Sequence, residues 1–191
     1  MNNLTHLLVL LIFVTTGAFS QEKYEKEYRI KTEVVPQGAL EFIKSVGFSK
    51  KVKWYKEEGL TRNTIEAKTK HRGAKYSIEF NIAGEIEDVE YVIKWNDIPS
   101  LTRLNIDTFL DSIYQKMRLV KIQIQLTGNK EELLKALVKP EANLSVITKY
   151  EIVLKGKSDS RYELLEYLFS ENGQMERKSK ITLKNTDNLE Y

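Results

Sequence analysis

The feature that most constrains this chain is a change of hydrophobic period that occurs twice in the same order. In each half, apolar residues first recur at helical spacing and then alternate with polar residues over several short segments. The first spacing predicts an amphipathic helix, and strict alternation predicts strands with one apolar face. We therefore predict an α+β protein, a tandem repeat of two modules that each pack a short helix on a four-stranded antiparallel sheet.

The first module is predicted over residues 34–97. Its helix begins at Pro36, because the fixed φ of proline suits a first helical turn, and it ends at Gly47, a typical C-cap. Four alternating segments follow, separated by turn signals that contain glycine. These predicted strands are 52–55, 65–69, 76–82 and 89–95.

The second module is predicted over residues 98–191. Its helix carries one apolar stripe, which consists of Ile106, Leu110, Ile113 and Met117. The predicted strands are 120–126, 146–154, 162–170 and 175–184, with an inserted helix at 129–138 that has Asn129 as N-cap and stops before Pro140. A strand precedes Gly173 at the same distance as another precedes Gly84, which supports the repeat.

The N-terminal residues resemble an export signal. An eight-residue apolar run, 7–14, is too short to cross a bilayer, and Ala18 and Ser20 are small residues of the kind a signal peptidase reads. We predict a signal peptide at 1–20, with cleavage between Ser20 and Gln21; the alternative is a short buried N-terminal helix. The charged lead-in at 21–33 is predicted as a tail or an edge strand.

Composition excludes several classes of function. The chain has no cysteine, so neither disulfides nor the thioether-linked lipid of a bacterial lipoprotein are available. The net charge is +3, and Lys and Glu are interspersed along the predicted strands, as on solvated faces rather than nucleic-acid-binding ones. We expect a periplasmic or secreted protein without a membrane anchor after cleavage; the sequence leaves its oligomeric state open.

The stretch 74–90, with the strand Tyr76-Ser77-Ile78-Glu79-Phe80, the turn glycine Gly84 and a strand leaving it, resembles the closing hairpin of PepSY-like modules. Ile98-Pro99 before a helix is similar to secreted PepSY-like proteins of the β-lactamase-inhibitor-like fold. The resemblance implies two tandem modules and a non-enzymatic inhibitory or protein-binding role. The disulfide-held loops of that inhibitor are absent here, and no inhibitory residues are transferred.

The residues that usually carry chemistry are sparse. His71 is predicted to lie exposed in a turn, and neither a nucleophile elbow nor a zinc-ligand set accompanies it. The carboxylates after Gly84 are predicted to form a solvated hairpin edge, a catalytic carboxylate pair or a calcium site being the alternatives. They are Glu85, Glu87, Asp88 and Glu90. We expect no enzyme activity, no cofactor and no metal.

Two groups of residues mark a possible binding face on the side of the sheet away from the helices. The segment 162–169 is apolar on both faces, so the first module, the inserted helix, a partner protein or an apolar ligand must cover its second face. In the first module an aromatic residue is predicted to lie among lysines, which suits an interface or a snorkelling surface. The candidate partner-binding residues are Lys53, Tyr55, Lys68, Lys75, Ile147, Val153, Tyr162, Leu164 and Leu168.

The sequence therefore favours an exported, non-enzymatic protein-binding or inhibitory module that acts through an outer sheet face. The alternative is a carrier or sensor of a small apolar ligand in the periplasm. The sequence does not identify the partner.

Overall fold

The computed structural model describes residues 21–23, 25–139, 145–158 and 161–182. The predicted signal peptide and the end of the second module, from residue 183, lie outside the described residues. The described part of the chain is α+β, with three α-helices and one antiparallel sheet as its main elements.

The helices are α1 (Gln37–Val46), α2 (Ser100–Ile113) and α3 (Lys130–Val138). Gly47 follows α1 with a φ of +71°, as predicted for a glycine C-cap. The side chain of Asn129 accepts a hydrogen bond from the backbone N–H of Glu132, so the predicted N-cap of α3 is confirmed.

The end of α2 differs from the prediction. The helix stops at Ile113, Met117 is the first residue of a strand, and Ile113 is exposed. Tyr114 caps the helix in an extended conformation and is buried. The predicted stripe was too long because the apolar spacing continued from the helix into the following strand.

The described residues form ten strands. They are β1 (Gln21–Lys23), β2 (Glu25–Ile30), β3 (Lys53–Gly59), β4 (Asn63–His71), β5 (Ala74–Asn81), β6 (Ile86–Val92), β7 (Met117–Thr127), β8 (Ile147–Ser158), β9 (Arg161–Ser170) and β10 (Met175–Ile181). Trp95, predicted at the end of a strand, lies instead in a 3-10 turn, Trp95–Asp97. A similar turn, Thr32–Val34, precedes α1.

These strands form one sheet in the order β1-β10-β9-β8-β7-β6-β5-β4-β3-β2. Strands β2 to β10 pair antiparallel with their neighbours, and β1 pairs parallel with β10. The two halves join where β6 pairs with β7, for example at Val89 opposite Leu126. The prediction of two four-stranded sheets is therefore not confirmed, because backbone hydrogen bonds continue across the boundary.

The charged lead-in supplies both edges of the sheet. Strand β1 lies against β10 and strand β2 lies against β3, although one residue of sequence separates them. The sheet must therefore curl until its two ends meet at this segment. Bulges at the β5–β6, β7–β8 and β9–β10 pairs increase the local twist that the curl requires. Of the two predicted possibilities, tail and edge strand, the structure shows edge strands.

All three helices cover one face of the sheet, and each half has its own apolar core. In the first half, Ala39 and Phe42 of α1 and Leu133 of α3 pack among strand residues such as Ile78 and Phe80. In the second half, α2 packs Ile106 and Leu110 onto β8 and β9. This face contains the alternating apolar residues on which the helix-on-sheet prediction was based.

Two turn glycines fix the helices to the sheet. Gly84 and Gly173 have φ values of +86° and +78°, in the left-handed region that favours glycine. A Cβ added at Gly84 would lie 2.7 Å from the Cβ of Pro36, and one at Gly173 would lie 2.6 Å from the carbonyl oxygen of Thr102. Each half therefore packs its third hairpin turn against the start of its first helix.

Candidate functional site

The sheet face without helices encloses a cavity of about 840 Å³. Its lining includes Glu27 of β2, Glu79 of β5, Leu164 of β9 and Ile181 of β10. Residues from both edges and from the middle of the sheet thus contact one space, so this face is concave and the helices lie on the convex side. The predicted outer face of the sheet is the inner wall of the cavity.

The inner wall carries the polar half of the strand alternation. Because side chains alternate across a strand, the residues between the apolar core positions lie on this concave face of the sheet. Several of these polar residues are buried. They are Thr64, Glu66, Asp88, Glu90, Gln123, Glu151, Glu166 and Ser179.

Three carboxylates form the first of two clusters on this wall, which we name the lysine-paired triad: Glu27, Glu57 and Glu66. Their nearest oxygens lie within 4.8 Å of one another. The ammonium of Lys68 lies 2.5 Å from Glu27 Oε2 and 3.0 Å from Glu66 Oε2. Ser77 also donates a hydrogen bond to Glu66. The charge of this cluster is therefore compensated by a cation of the chain itself.

The second cluster, which we name the amide-paired triad, consists of Glu79, Asp88 and Glu90. Its nearest oxygens also lie within 4.8 Å of one another. Two neutral amides donate hydrogen bonds to it: Gln123 Nε2 donates to Glu90 Oε2 at 2.7 Å, and Gln125 Nε2 donates to Asp88 Oδ2 at 3.2 Å. Strands β5, β6 and β7 position these side chains, since Glu79 lies opposite Asp88 and Glu90 lies opposite Gln125 in the register.

Burial and mutual repulsion change the acidity of this triad. Burial, followed by the charges of Asp88 and Glu90, raises the pKa of Glu79 well above its ordinary value. Burial, followed by the charge of Glu151, raises the pKa of Asp88 to about 7, although Arg62 acts in the opposite direction. The guanidinium of Arg62 lies 3.9 Å from Glu79 Oε2 and 2.8 Å from Glu87 Oε1, at one side of the cluster.

The second half of the protein supplies an apolar part of the wall. Leu119, Val120, Val153, Leu164 and Ile181 all line the cavity. Two carboxylates on the same face pair with cations, since Glu151 lies 3.7 Å from the ammonium of Lys121 and Glu166 lies 3.7 Å from the guanidinium of Arg177. The cavity thus joins a carboxylate-rich region to an apolar one.

The structure brings together most of the residues predicted as a binding face in the first module. The ammonium of Lys68 lies 4.9 Å from the ring centre of Tyr55. Lys53 pairs with Lys68 in the β3–β4 register but is exposed at the start of its strand, and Lys75 lines the cavity. Tyr55 therefore contacts one of the three predicted lysines over its ring, on the inner wall.

The predicted residues of the second module divide into two groups. Val153 and Leu164 line the cavity, and Leu168 is buried on the same face. Ile147 and Tyr162 are 60% and 63% exposed, and they lie at opposite ends of the β8–β9 pair. The curl of the sheet explains why the second face of this segment is apolar: it faces a cavity whose opposite wall belongs to the first half.

The carboxylate clusters were not predicted from the sequence. Asp88 and Glu90 were predicted to lie on a solvated hairpin edge, but both are buried on the inner wall. Alternating polar residues indicate solvent on an open sheet, and the curl removes that solvent. One signal was available: Glu66, Glu79 and Asp88 occupy the same face of three neighbouring strands, where like charges repel one another and need compensation from cations, protons or solvent.

His71 also differs from the prediction. It ends β4, where its ring packs edge-on against Phe48 and Tyr76 at centroid distances of 5.1 and 5.5 Å. Its Nε2 lies 3.3 Å from the carbonyl oxygen of Leu137. His71 is therefore a partly buried packing residue that connects the first half to α3, rather than an exposed turn residue.

The carboxylate clusters can bind a metal ion, bind an organic cation or hold protons. Among the described residues, no helix combines the length and the apolar character that crossing a bilayer requires. Comparisons of the chain with protein-family models, with curated proteins and with solved structures find no match. Function is therefore inferred from the cavity and from the residues that line it.

Proposed function

We propose that this protein is a non-enzymatic binding protein that holds a small amphipathic organic cation in the cavity of its curled sheet. The observation that carries the proposal is one cavity with a carboxylate-rich wall in the first half and an apolar wall in the second. A volume of about 840 Å³ falls in the range of small-molecule sites, ~300–1,000 Å³.

Each wall contributes a different part of the affinity. Apolar surface removed from water contributes about 25 cal/mol per Å², so an aliphatic chain against Val153 and Leu164 binds in proportion to its buried length. A positive group costs free energy to bury unless it is paired, and the carboxylates supply that pairing. Eight carboxylates and five cationic side chains line the cavity, so its net charge favours a cationic ligand over an anionic ligand of the same shape.

The protein-partner hypothesis has weaker support. The residues on which it was based lie mainly inside the concave wall, where a ligand or a single inserted segment fits better than a flat protein surface. The exposed members are Lys53, Ile147 and Tyr162. Ile147 and Tyr162 lie at opposite ends of the β8–β9 pair, and Lys53 lies on β3, so they do not form one surface. Partner capture at the outer sheet face remains the alternative proposal, and a pull-down with the mature protein tests it.

The ligand proposal is tested with alkyl trimethylammonium ions of increasing chain length, and with alkyl sulfates of equal length as anionic controls. We expect the ammonium series to raise the melting temperature and to give one-to-one complexes in native mass spectrometry, with affinity rising with chain length. Equal binding of both series, or of neither, would show that the wall does not select cations.

A pair of tryptophan variants tests the location. Leu164→Trp adds volume inside the cavity, whereas Tyr162→Trp changes an exposed residue of the same strand and serves as the matched control. We expect Leu164→Trp to weaken binding of the longer chains and Tyr162→Trp to leave it unchanged. Circular dichroism establishes that both variants fold. Unaltered binding by a folded Leu164→Trp variant would place the ligand elsewhere.

We also propose export by the segment 1–20 with cleavage before Gln21, and N-terminal sequencing of the protein recovered from the periplasm tests it. A tandem origin from two PepSY-like units is proposed on the recurring local order. A 3-10 turn, a proline and a helix begin each half, and a turn glycine packs back on each helix. These recurrences support two related units within a single sheet.

A further inference from the structure

Two carboxyl groups of the β5–β6 hairpin lie directly opposite each other. Glu79 is the register partner of Asp88, and both lie on the concave face of the sheet. Glu79 lines the cavity, and Asp88 is 7% exposed. Like charges directly opposite each other on neighbouring strands repel. Two negative charges at this pair therefore need compensation from a cation or from a proton.

The charged groups that act on the pair are mostly carboxylates. They are Glu57 of β3, Glu66 of β4, Glu87 and Glu90 of β6, Glu151 of β8, and Arg62 of the β3–β4 connection. The guanidinium of Arg62 lies 3.9 Å from Glu79 Oε2 but 2.8 Å from Glu87 Oε1, so its closer partner is outside the pair. On β8, the ammonium of Lys149 lies 2.6 Å from Glu176 Oε2. The other charged residues that line the cavity are Glu27, Lys68, Arg72, Lys75, Lys94, Asp97, Lys121 and Glu166.

The contacts of Asp88 favour a bound proton. Its Oδ2 accepts a hydrogen bond from Gln125 Nε2 at 3.2 Å, whereas its Oδ1 is buried and no donor among the described residues reaches it. Ionisation would leave a charged oxygen buried without a hydrogen bond, which is costly. Burial and the neighbouring carboxylates accordingly raise the pKa of Asp88 to about 7 and the pKa of Glu79 well above its ordinary value. The pair thus holds a proton at pH values where an exposed carboxyl group is ionised.

We propose that a cation bound in the cavity displaces this proton, so that the protein binds its ligand at about pH 8 and releases it as the pH falls toward about 6. The inference rests on the proposed organic-cation function and adds the regulation of that site. The proton passes to the buffer, and the ligand replaces its positive charge. The net charge of the cavity is therefore the same in both states, and neither state buries an uncompensated carboxylate.

The probe is decyltrimethylammonium, because its quaternary nitrogen has no proton to lose and any pH dependence must come from the protein. Calorimetric titration of the full-length mature protein at pH 6, 7 and 8 measures the affinity. The ionised fraction of a group with a pKa of about 7 rises from about 0.1 at pH 6 to about 0.9 at pH 8, so we expect the affinity to rise about tenfold. Titration at pH 6 in two buffers of different ionisation enthalpy counts the protons released, and we expect about one per ligand.

Two variants assign the proton to the pair. Asp88→Asn removes one titrating group and its charge, so Glu79 ionises more readily. We expect its affinity to change less than about threefold from pH 6 to pH 8, with release of less than about half a proton. Glu79→Gln should flatten the profile in the same way, and it decides the question if Asp88→Asn does not fold. Glu131→Gln, an exposed change on α3, is the matched control and should keep both the rise in affinity and the proton release.

Failure of this inference can be distinguished from failure of the proposed function. If decyltrimethylammonium binds equally well at pH 6 and pH 8 and releases no proton, proton exchange is overturned although the cation site is retained. Proton exchange at this pair is also overturned if folded Asp88→Asn and Glu79→Gln variants keep the tenfold rise. If the probe binds at none of these pH values, the organic-cation function itself is contradicted, and the inference fails with it.

Discussion

The buried amide-paired triad predicts an unusual dependence of stability on pH. Burial raises the pKa of Asp88 to about 7, from an ordinary value near 3.8 in the unfolded chain. Between these two values the folded state holds a proton that the unfolded state releases. Stability is therefore highest below the unfolded pKa and falls as pH rises toward 7, and the raised pKa of Glu79 acts in the same direction.

The magnitude follows from linkage. Each pH unit between the two pKa values changes the free energy of unfolding by about 1.4 kcal/mol per group. For Asp88 alone, integration from pH 5 to pH 8 gives a loss of about 2.5 kcal/mol, because titration is nearly complete at pH 8. Glu58, Glu132 and Glu163 have lowered pKa values, so their contribution changes below about pH 4.5. Burial and the charge of Asp111 raise the pKa of Asp107, which adds to the dependence in the same direction as the triad.

Urea unfolding at pH 5, 6, 7 and 8, in the presence of a chelator, measures the effect. Trp54 is buried in the first core and supplies a fluorescence signal for unfolding. We expect the free energy of unfolding to fall across this interval, and Asp88→Asn to flatten the profile and be more stable than the unaltered protein at pH 8. Glu131→Gln, an exposed change on α3, is the control and should keep the original profile.

Two results would contradict this explanation of the pH dependence. A free energy of unfolding that stays constant from pH 5 to pH 8 would mean that Asp88 does not gain a proton on folding. An Asp88→Asn variant with the same slope as the unaltered protein would assign the dependence to another group. Retention of the slope in Glu131→Gln is required in either case for the comparison to be valid.

Three further changes test the packing and the polar interior, each by urea unfolding. Gly173→Ala should lower the free energy of unfolding by at least about 2 kcal/mol, because the new Cβ would lie 2.6 Å from a backbone oxygen. Gly73→Ala is the control, because its φ is also positive but no atom lies within 4 Å of the new Cβ, and it should cost about 1 kcal/mol. The buried hydroxyls of Tyr114 and Tyr167 lie 2.6 Å apart, so phenylalanine at both positions should cost less than the sum of the single changes, with a coupling of about 1 kcal/mol. Lys68→Met leaves the carboxylates of its triad without their ammonium and should cost about 2 kcal/mol near pH 7; an unchanged stability would show that Lys68 is not their counter-ion.

Local signals predicted the elements of the fold well. Proline at the start of the first helix, Gly47 at its end and Asn129 before α3 mark boundaries through backbone geometry and hydrogen bonding, which depend on a few adjacent residues. Alternation placed Ile78 and Phe80 on the helix-covered face, where both are buried. The end of α2 was predicted poorly because Met117 continued the apolar spacing after the chain had become extended.

The candidate site could be predicted only in part. Alternation correctly assigned Tyr55, Lys68, Val153 and Leu164 to the face away from the helices, but it carries no information on whether that face meets water. The same uncertainty applied to Asp88, which alternation assigns to this face whether or not the face is solvated. The burial of these residues depends on strands that lie far apart in the chain.

The amino-acid sequence predicted which residues share a face of the sheet and most of the helix boundaries, although not the end of α2. The tertiary structure decided that the units share one sheet and that β1 and β2 join its edges. This closure depends on the accumulated twist of ten strands and on pairing between β1 and β10, more than 150 residues apart in sequence, and no local pattern encodes such pairing. It brings carboxylates of neighbouring strands into a poorly solvated space, where burial raises the pKa values of Glu79 and Asp88.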